Sequence, residues 1–414
     1  MDRSVPRGRV QGTLTPPSSK SYAQRALAVS LLAQEPTVLR KLDFCQDTLS
    51  ALGCIHTLGA EVIEVDESTL SIGGGLSPRE YSLHVGESGL ASRLFTPIAS
   101  LSDRPIRIIG RGSLLERPMQ MMIEPLRRLG VTVKDNKGYL PFEVCGPLCG
   151  GETEVDGSVS SQFITGLLLA LPMAAIDTTL HVSKAVSTPY LDMTIDTAAR
   201  FGVEISHRNF EEFYIAGGQC YKGIDLTIEG DWSAAAMLLV AGAVAGEVRV
   251  ENMNPLSKQA DTAILDALVR AGAEVVCEGN AITASHRELH GFTFDATHCP
   301  DLFPALAALA ATAEGVTTIK GTSRLIHKES NRAEAIREEY GKVGIRVELE
   351  GDEMLIYGGT IHAARVSSHN DHRMAMSMAV AGLLSDGVMT IEGAECVSKS
   401  YPDFFTHLKQ ISVK

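Results

Sequence analysis

Leu58-Gly59-Ala60-Glu61-Val62, Leu129-Gly130-Val131-Thr132-Val133, Phe201-Gly202-Val203-Glu204-Ile205, Ala271-Gly272-Ala273-Glu274-Val275 and Val343-Gly344-Ile345-Arg346-Val347 are five copies of one pattern. In each, an amphipathic stretch ends on an apolar or small residue, a glycine follows, and apolar residues then alternate. The glycine stands where a helix needs a left-handed cap, and the alternation behind it reads as a strand. The glycines lie 71, 72, 70 and 72 residues apart. A sixth step falls just past the end of the chain, where Phe405, Leu408, Ile411 and Val413 keep the apolar positions without a glycine. Six units of about 70 residues therefore cover nearly all 414 residues, and a period of that size points to repeated supersecondary units.

Working outward from the glycines, residues 22–33 and 46–58 read as helices and residues 62–65 and 69–72 as a hairpin. The same order recurs around residues 261–284. A βαβαββ unit describes this best. Six units divide into three plus three, and a chain of this length is expected to form two domains. The join falls near residues 228–233, where Glu229-Gly230-Asp231 precedes an apolar run. Residues 163–176 and 234–245 are the most apolar stretches. Both are too short to span a membrane and read as helices buried on all sides.

A net charge of −13 speaks against nucleic acid or an anionic membrane as partner, and makes each local cluster of cations informative. The eight cysteines are scattered without a zinc spacing, as suits free thiols in a reducing compartment. The charged start Met1-Asp2-Arg3-Ser4-Val5-Pro6-Arg7 has no apolar signal core, so a cytoplasmic location is expected.

The cations recur at expected helix starts. Ser19-Lys20-Ser21-Tyr22-Ala23-Gln24-Arg25 follows two prolines, so free N–H groups, hydroxyls, Lys20 and Arg25 converge on one anion-binding end. Gly86-Glu87-Ser88-Gly89-Leu90-Ala91-Ser92-Arg93 enters another helix, and Glu116-Arg117-Pro118 precedes one expected to begin at the proline. Ser160-Ser161-Gln162 and Ser187-Thr188-Pro189 offer hydroxyl and amide groups at two more starts. In the second half Pro300-Asp301, Lys328-Glu329-Ser330-Asn331-Arg332, His369-Asn370-Asp371-His372-Arg373 and Ser398-Lys399-Ser400-Tyr401-Pro402-Asp403 do the same. Any one of these could be an ordinary capped helix with solvated charges. His369, Asp371 and His372 could be read as metal ligands, but no further ligand motif supports this, and no metal is expected. Together, repeated cations at helix starts in an acidic chain point to an anionic small-molecule ligand.

In order and spacing, these segments resemble the 5-enolpyruvylshikimate-3-phosphate synthase family from about Gly12 to Phe405. The resemblance implies a two-domain inside-out α/β barrel, each domain made of three βαβαββ repeats. Residues 13–228 would form an inserted first domain, and residues 1–12 plus 229–414 the second, with the active site in the cleft between them. It implies transfer of the enolpyruvyl group of phosphoenolpyruvate to the 5-hydroxyl of shikimate 3-phosphate by a monomer without cofactor. Shikimate 3-phosphate would be held by Lys20, Ser21, Arg25, Ser160, Ser161, Gln162, Ser187, Asp301 and Lys328. Phosphoenolpyruvate would be held by Lys20, Gly89, Arg117, Gln162, Arg332, Arg373 and Lys399. Asp301, Glu329 and Lys20 would be catalytic.

One loop departs from the family pattern: Glu87 and Leu90 stand where small polar residues are usual, and an altered phosphoenolpyruvate affinity is expected. The related UDP-N-acetylglucosamine enolpyruvyl transferases are the nearest alternative. They typically carry Lys-Asn near the start and a cysteine before the Arg-Pro element, whereas here Ser21 follows Lys20 and residues 110–118 contain no cysteine. A non-catalytic phosphometabolite-binding relative is the second alternative, which the intact Asp301, Glu329, Lys20 and Lys399 oppose.

Overall fold

In the computed structural model, which describes residues 1–326 and 328–413, all five repeat glycines adopt positive φ: 121° at Gly59, 89° at Gly130, 84° at Gly202, 94° at Gly272 and 89° at Gly344. The amide after each glycine turns back to the carbonyl five residues earlier: Ala60 to Ile55 at 2.9 Å, Val131 to Leu126 at 3.0 Å, Val203 to Ala198 at 3.0 Å, Ala273 to Leu268 at 3.0 Å and Ile345 to Tyr340 at 2.9 Å. That bond closes a helix whose last carbonyls would otherwise lack donors. At Gly59 a β-carbon would lie 2.6 Å from the Ser77 carbonyl oxygen, so space as well as φ demands glycine there.

The chain sorts into two units, Ser18–Ile228 and Met1–Pro17 with Glu229–Lys414. The boundary near the N-terminus lies later than residue 12, because the strand Arg9–Leu14 runs parallel to Gly246–Val250. The unit Ser18–Ile228 contains helices α1 (Lys20–Leu32), α2 (Gln46–Thr57), α3 (Gly89–Ala99), α4 (Ile123–Arg128), α5 (Gln162–Ala170) and α6 (Thr188–Arg200). The other contains α7 (Trp232–Ala245), α8 (Ile264–Arg270), α9 (Phe303–Ala311), α10 (Arg332–Lys342), α11 (His372–Gly382) and α12 (Phe404–Ile411).

Among the described residues, the four-stranded sheets share one order: a strand, its parallel neighbour, then a hairpin whose second arm lies inside. The order Ser82–His84, Ile106–Ile109, Tyr139–Cys145, Thr132–Asn136 shows it, and Gly151–Asp156, Thr178–Ser183, Glu212–Ile215, Ile205–Arg208 repeats it. So does Thr293–Asp295, Val316–Lys320, Glu353–Tyr357, Arg346–Glu350. The remaining sheets borrow strands from afar. Asp225–Thr227 supplies the first strand beside Thr37–Arg40, and Arg9–Leu14 does so beside Gly246–Val250. In the sixth sheet Arg3–Val5 pairs antiparallel with Met389–Glu392, taking the place of the hairpin that the last repeat lacks.

Helices α3, α9 and α11 are buried along their whole length. In α1 burial covers Tyr22–Leu32, in α5 all residues after Gln162, and in α7 all but Ser233. Within each unit these inner helices touch one another: α1 with α3 and α3 with α5 in one, α7, α9 and α11 mutually in the other. Their partners α2, α4, α6, α8, α10 and α12 are buried on only part of their surface. Helices inside and sheets outside account for the apolar runs seen in sequence, since a helix surrounded by helices and sheets has no face for water. Among the described residues, no helix is long and apolar enough to cross a membrane.

Candidate active site

Of the inner helices, α1, α3, α5, α9 and α11 begin at or just after motif residues. In the unit Ser18–Ile228, Ser19 caps α1 by accepting from the Tyr22 amide, and Lys20 opens the helix with its ammonium 2.8 Å from Asp47 Oδ2. One turn on, Arg25 is buried. It donates to the Ser21 carbonyl at 2.8 Å, Thr194 Oγ1 at 2.9 Å, the Tyr190 carbonyl at 3.2 Å and Thr165 Oγ1 at 3.3 Å. Every one of these acceptors is neutral. Burial accordingly pushes the guanidinium down to about 10, since desolvation opposes the charge and no carboxylate among the described residues pairs with it. Ser187 stands one turn before Tyr190, in left-handed conformation (φ 54°) at the cap of α6.

The starts of α3 and α5 meet. Gly89 opens α3, capped by Ser88, whose hydroxyl also donates to Gln24. A β-carbon on Gly89 would lie 2.9 Å from Arg117 Nη1, 3.3 Å from Arg93 Nη1 and 3.5 Å from Gln162 Oε1. Arg93 donates to Gln162 Oε1 at 2.7 Å and to the Pro118 carbonyl at 3.2 Å. Ser160 accepts from the Gln162 amide, and Ser161 is the buried residue just before α5. Gln162 and Thr165 are one turn apart, so α5 ties this cluster to Arg25. Pro118 does not begin a helix. Arg117 leaves a 3-10 turn (Gly112–Glu116) in extended conformation, and a second short turn (Gln120–Met122) precedes α4. Glu87 lies with its carboxyl over Gly112, and Leu90 is buried.

In the other unit the charges form one network around Arg332, the first residue of α10. It donates to Asp371 at 2.9 and 3.3 Å, to Asp301 Oδ1 at 2.9 Å and to Glu329 Oε2 at 2.8 Å. Neither Arg332 nor Asp371 is exposed. Asp301, in a 3-10 turn leading into α9, also receives Lys328 at 3.1 Å and Arg373 at 3.3 Å. Burial would raise Asp301, but Arg373, then Lys328 and Arg332, hold it well below the usual carboxylate range. Burial would lower Arg332, yet Asp371, then Glu329 and Asp301, raise it. Asp371 caps α11 through the Arg373 amide at 2.9 Å. Lys399 ends a 3-10 turn (Ala394–Lys399), some residues before α12, and donates to the Asn370 carbonyl at 2.9 Å.

His369 and His372, weighed above as metal ligands, go to separate places. His372 is buried as the first residue of α11, and His369 bonds to Glu339. Glu338, Glu339 and His369 do bring ligand atoms within 4.8 Å of one another. The Lys342 ammonium, 2.9 Å from each carboxylate, supplies the positive charge there.

Two participants lie outside every site motif of the sequence, Asp47 and Asp261. Arg93 and Asp371 sit inside quoted motifs, but their partners lie 69 and 39 residues away. Asp261 is buried in a 3-10 turn where Ser233 donates to it, and its Oδ1 has no hydrogen-bond partner among the described residues. Burial, then repulsion from Asp301, raises it to about 7.

A family model described as EPSP synthase (3-phosphoshikimate 1-carboxyvinyltransferase) matches residues 5–408. Enzymes with that second name from Methanocorpusculum labreanum and Clostridioides difficile are 34% and 36% identical to this chain. The alignments cover 98% and 97% of it and 97% and 95% of theirs. An EPSP synthase structure from Acinetobacter baumannii superposes with a TM-score of 0.85 at 26% identity, covering all of this chain and 98% of that one. With the fold, the ordered motifs and the whole-length match in agreement, the chain belongs to the EPSP synthase family, the 3-phosphoshikimate 1-carboxyvinyltransferases.

Proposed function

We propose that this chain transfers the enolpyruvyl group of phosphoenolpyruvate to the 5-hydroxyl of shikimate 3-phosphate, releasing phosphate. The observation that carries the proposal is Asp301, a carboxylate within 3.3 Å of three cations, Lys328, Arg332 and Arg373, with Glu329 on the same arginine. Such a group can exchange protons beside an anionic substrate only if charge is neutralised around it.

The 5-hydroxyl gives up its proton to one carboxylate as its oxygen adds to C2 of phosphoenolpyruvate, and C3 gains a proton. The methyl group then loses a proton as the C2–O bond to phosphate breaks, restoring the double bond. Asp301 and Glu329 handle these protons. In the unliganded chain Asp301 is a weak base, because its cations stabilise the carboxylate. When the carboxylate and phosphate of phosphoenolpyruvate take up Arg332, Arg373, Lys399, Arg117 and Lys20, that hold relaxes and Asp301 becomes more basic as substrate arrives. Ser21, Arg25, Ser160, Ser161, Gln162, Ser187 and Lys328 bind shikimate 3-phosphate, with Gly89 giving the backbone room beside Arg117.

Two multiply charged substrates need both groups of cations for their neutralisation. The chain acts as a monomer in the cytoplasm, without metal or organic cofactor. Phosphate release with both substrates tests the reading: Asp301→Ala is expected to lower kcat by about 10²–10⁴, and Lys20→Ala to raise the KM for phosphoenolpyruvate and lower kcat. Full turnover in Asp301→Ala would overturn it.

A further inference from the structure

We infer that Glu339 and His369 form a positioning pair that sets the Lys399 ammonium for phosphoenolpyruvate through the backbone between them, without touching substrate. Glu339 lies near the end of α10, the helix that begins with Arg332, and its side chain is fully buried. It accepts from the Ser367 amide at 2.9 Å, from His369 Nε2 at 2.5 Å and from Lys342 at 2.9 and 3.1 Å. A buried carboxylate with that many donors is a rigid anchor.

The anchored segment is unusual. His369 and Asn370 are consecutive left-handed residues, φ 51° and 54°, a conformation that residues with a β-carbon hold only when their surroundings enforce it. Ser368 holds one side of the turn: its hydroxyl donates to the Gly393 carbonyl and accepts from the Asn370 amide. The His369 imidazole ties the other side to Glu339. The result of the turn is the direction of two groups. The Asn370 carbonyl faces Lys399 at 2.9 Å, and Asp371 follows immediately, accepting from Arg332 and starting α11 with Arg373. If the His369 tether is cut, the left-handed pair loses a restraint and the carbonyl that orients Lys399 moves. Arg332 and Arg373 keep their own bonds to Asp301 and Asp371, so the effect should fall on one cation.

The inference rests on the proposed role of Lys399, and steady-state phosphate release by the full chain separates the two. In His369→Phe, the KM for phosphoenolpyruvate is expected to rise about tenfold, the size of one lost charge-assisted hydrogen bond. The KM for shikimate 3-phosphate and kcat should stay within about twofold. His369→Gln, whose amide can still donate to Glu339, should recover most of the loss. Glu339→Gln repeats the measurement from the other partner and should move the same KM. An unchanged phosphoenolpyruvate KM in both the His369→Phe and Glu339→Gln variants overturns the positioning role. So does a His369→Gln variant that performs no better than His369→Phe, or a uniform loss in all three constants. If Lys399→Ala raises that KM while the His369 and Glu339 variants do not, the pair alone is wrong. If Lys399→Ala leaves it unchanged, the reading of Lys399 fails and the inference with it.

Discussion

Arg25 and Arg332 are both buried guanidiniums at the motif end of their units, but they are framed in opposite ways. Arg25 is held by two threonine hydroxyls and two backbone carbonyls, and burial lowers it. Arg332 is held by Asp301, Glu329 and Asp371, which raise it against the same burial. The first frame orients a cation without neutralising it, so its charge remains for a ligand. The second spends the charge internally until a ligand anion competes for it. A neutral frame suits binding alone, and a carboxylate frame suits chemistry in which protons move, because the ligand's arrival changes what the carboxylates feel.

The largest expected effect tests this contrast directly. Arg332→Met takes away the guanidinium that pairs with the fully buried Asp371 and should cost about 3–5 kcal/mol of stability in urea unfolding. Arg25→Met removes a charge that no carboxylate needs, and should cost about 1 kcal/mol or less while weakening shikimate 3-phosphate about tenfold or more by calorimetry. Equal losses of stability in the two variants would break the comparison.

Gly89→Ala sharpens it within the first unit. The new methyl would press on Arg117 and Arg93, whose tips can shift but whose frame is shared with Gln162. A cost of about 1–2 kcal/mol to the bound state is expected, seen as a roughly tenfold rise in the KM for phosphoenolpyruvate with the fold intact.

The smallest effect concerns Asp261. Its folded value of about 7 lies above the ordinary carboxyl value near 3.9. The folded state therefore holds a proton that the unfolded state has released, and the stability from this group, full below about pH 4, declines up to about pH 7. Asp261→Asn should flatten the fall in melting temperature between pH 5 and pH 8 while changing little at pH 4. An unaltered profile would show that Asp261 ionises freely in place.

Much of the fold was legible because its markers are local. Gly59, Gly130, Gly202, Gly272 and Gly344 all take the left-handed cap that their context demanded, and the hairpin behind Gly59 runs Glu61–Asp66 and Thr69–Gly73, close to residues 62–65 and 69–72. Helix starts were legible for Lys20, Gly89, Gln162, Arg332 and Arg373. The start was misjudged at Arg117, which leaves a 3-10 turn in extended conformation, because proline favours several kinds of turn besides a helix start. The segment Ser398–Asp403 does lead into α12, with Asp403 at its cap and Lys399 at the end of the 3-10 turn before it. Asp47 and Asp261 carried no local signal at all.

By itself, then, the sequence determined what depends on residues within a turn of one another: the period, the caps, the apolar inner helices and the cations at their starts. Only the tertiary structure decided which strand completes which sheet, with Arg3–Val5 closing a sheet whose other strands lie more than 350 residues on. It alone decided that Arg25 would meet threonines and Arg332 carboxylates. Those pairings depend on side chains brought together through space from distant parts of the chain, and their desolvation and Coulomb energies exist only once the helices have packed.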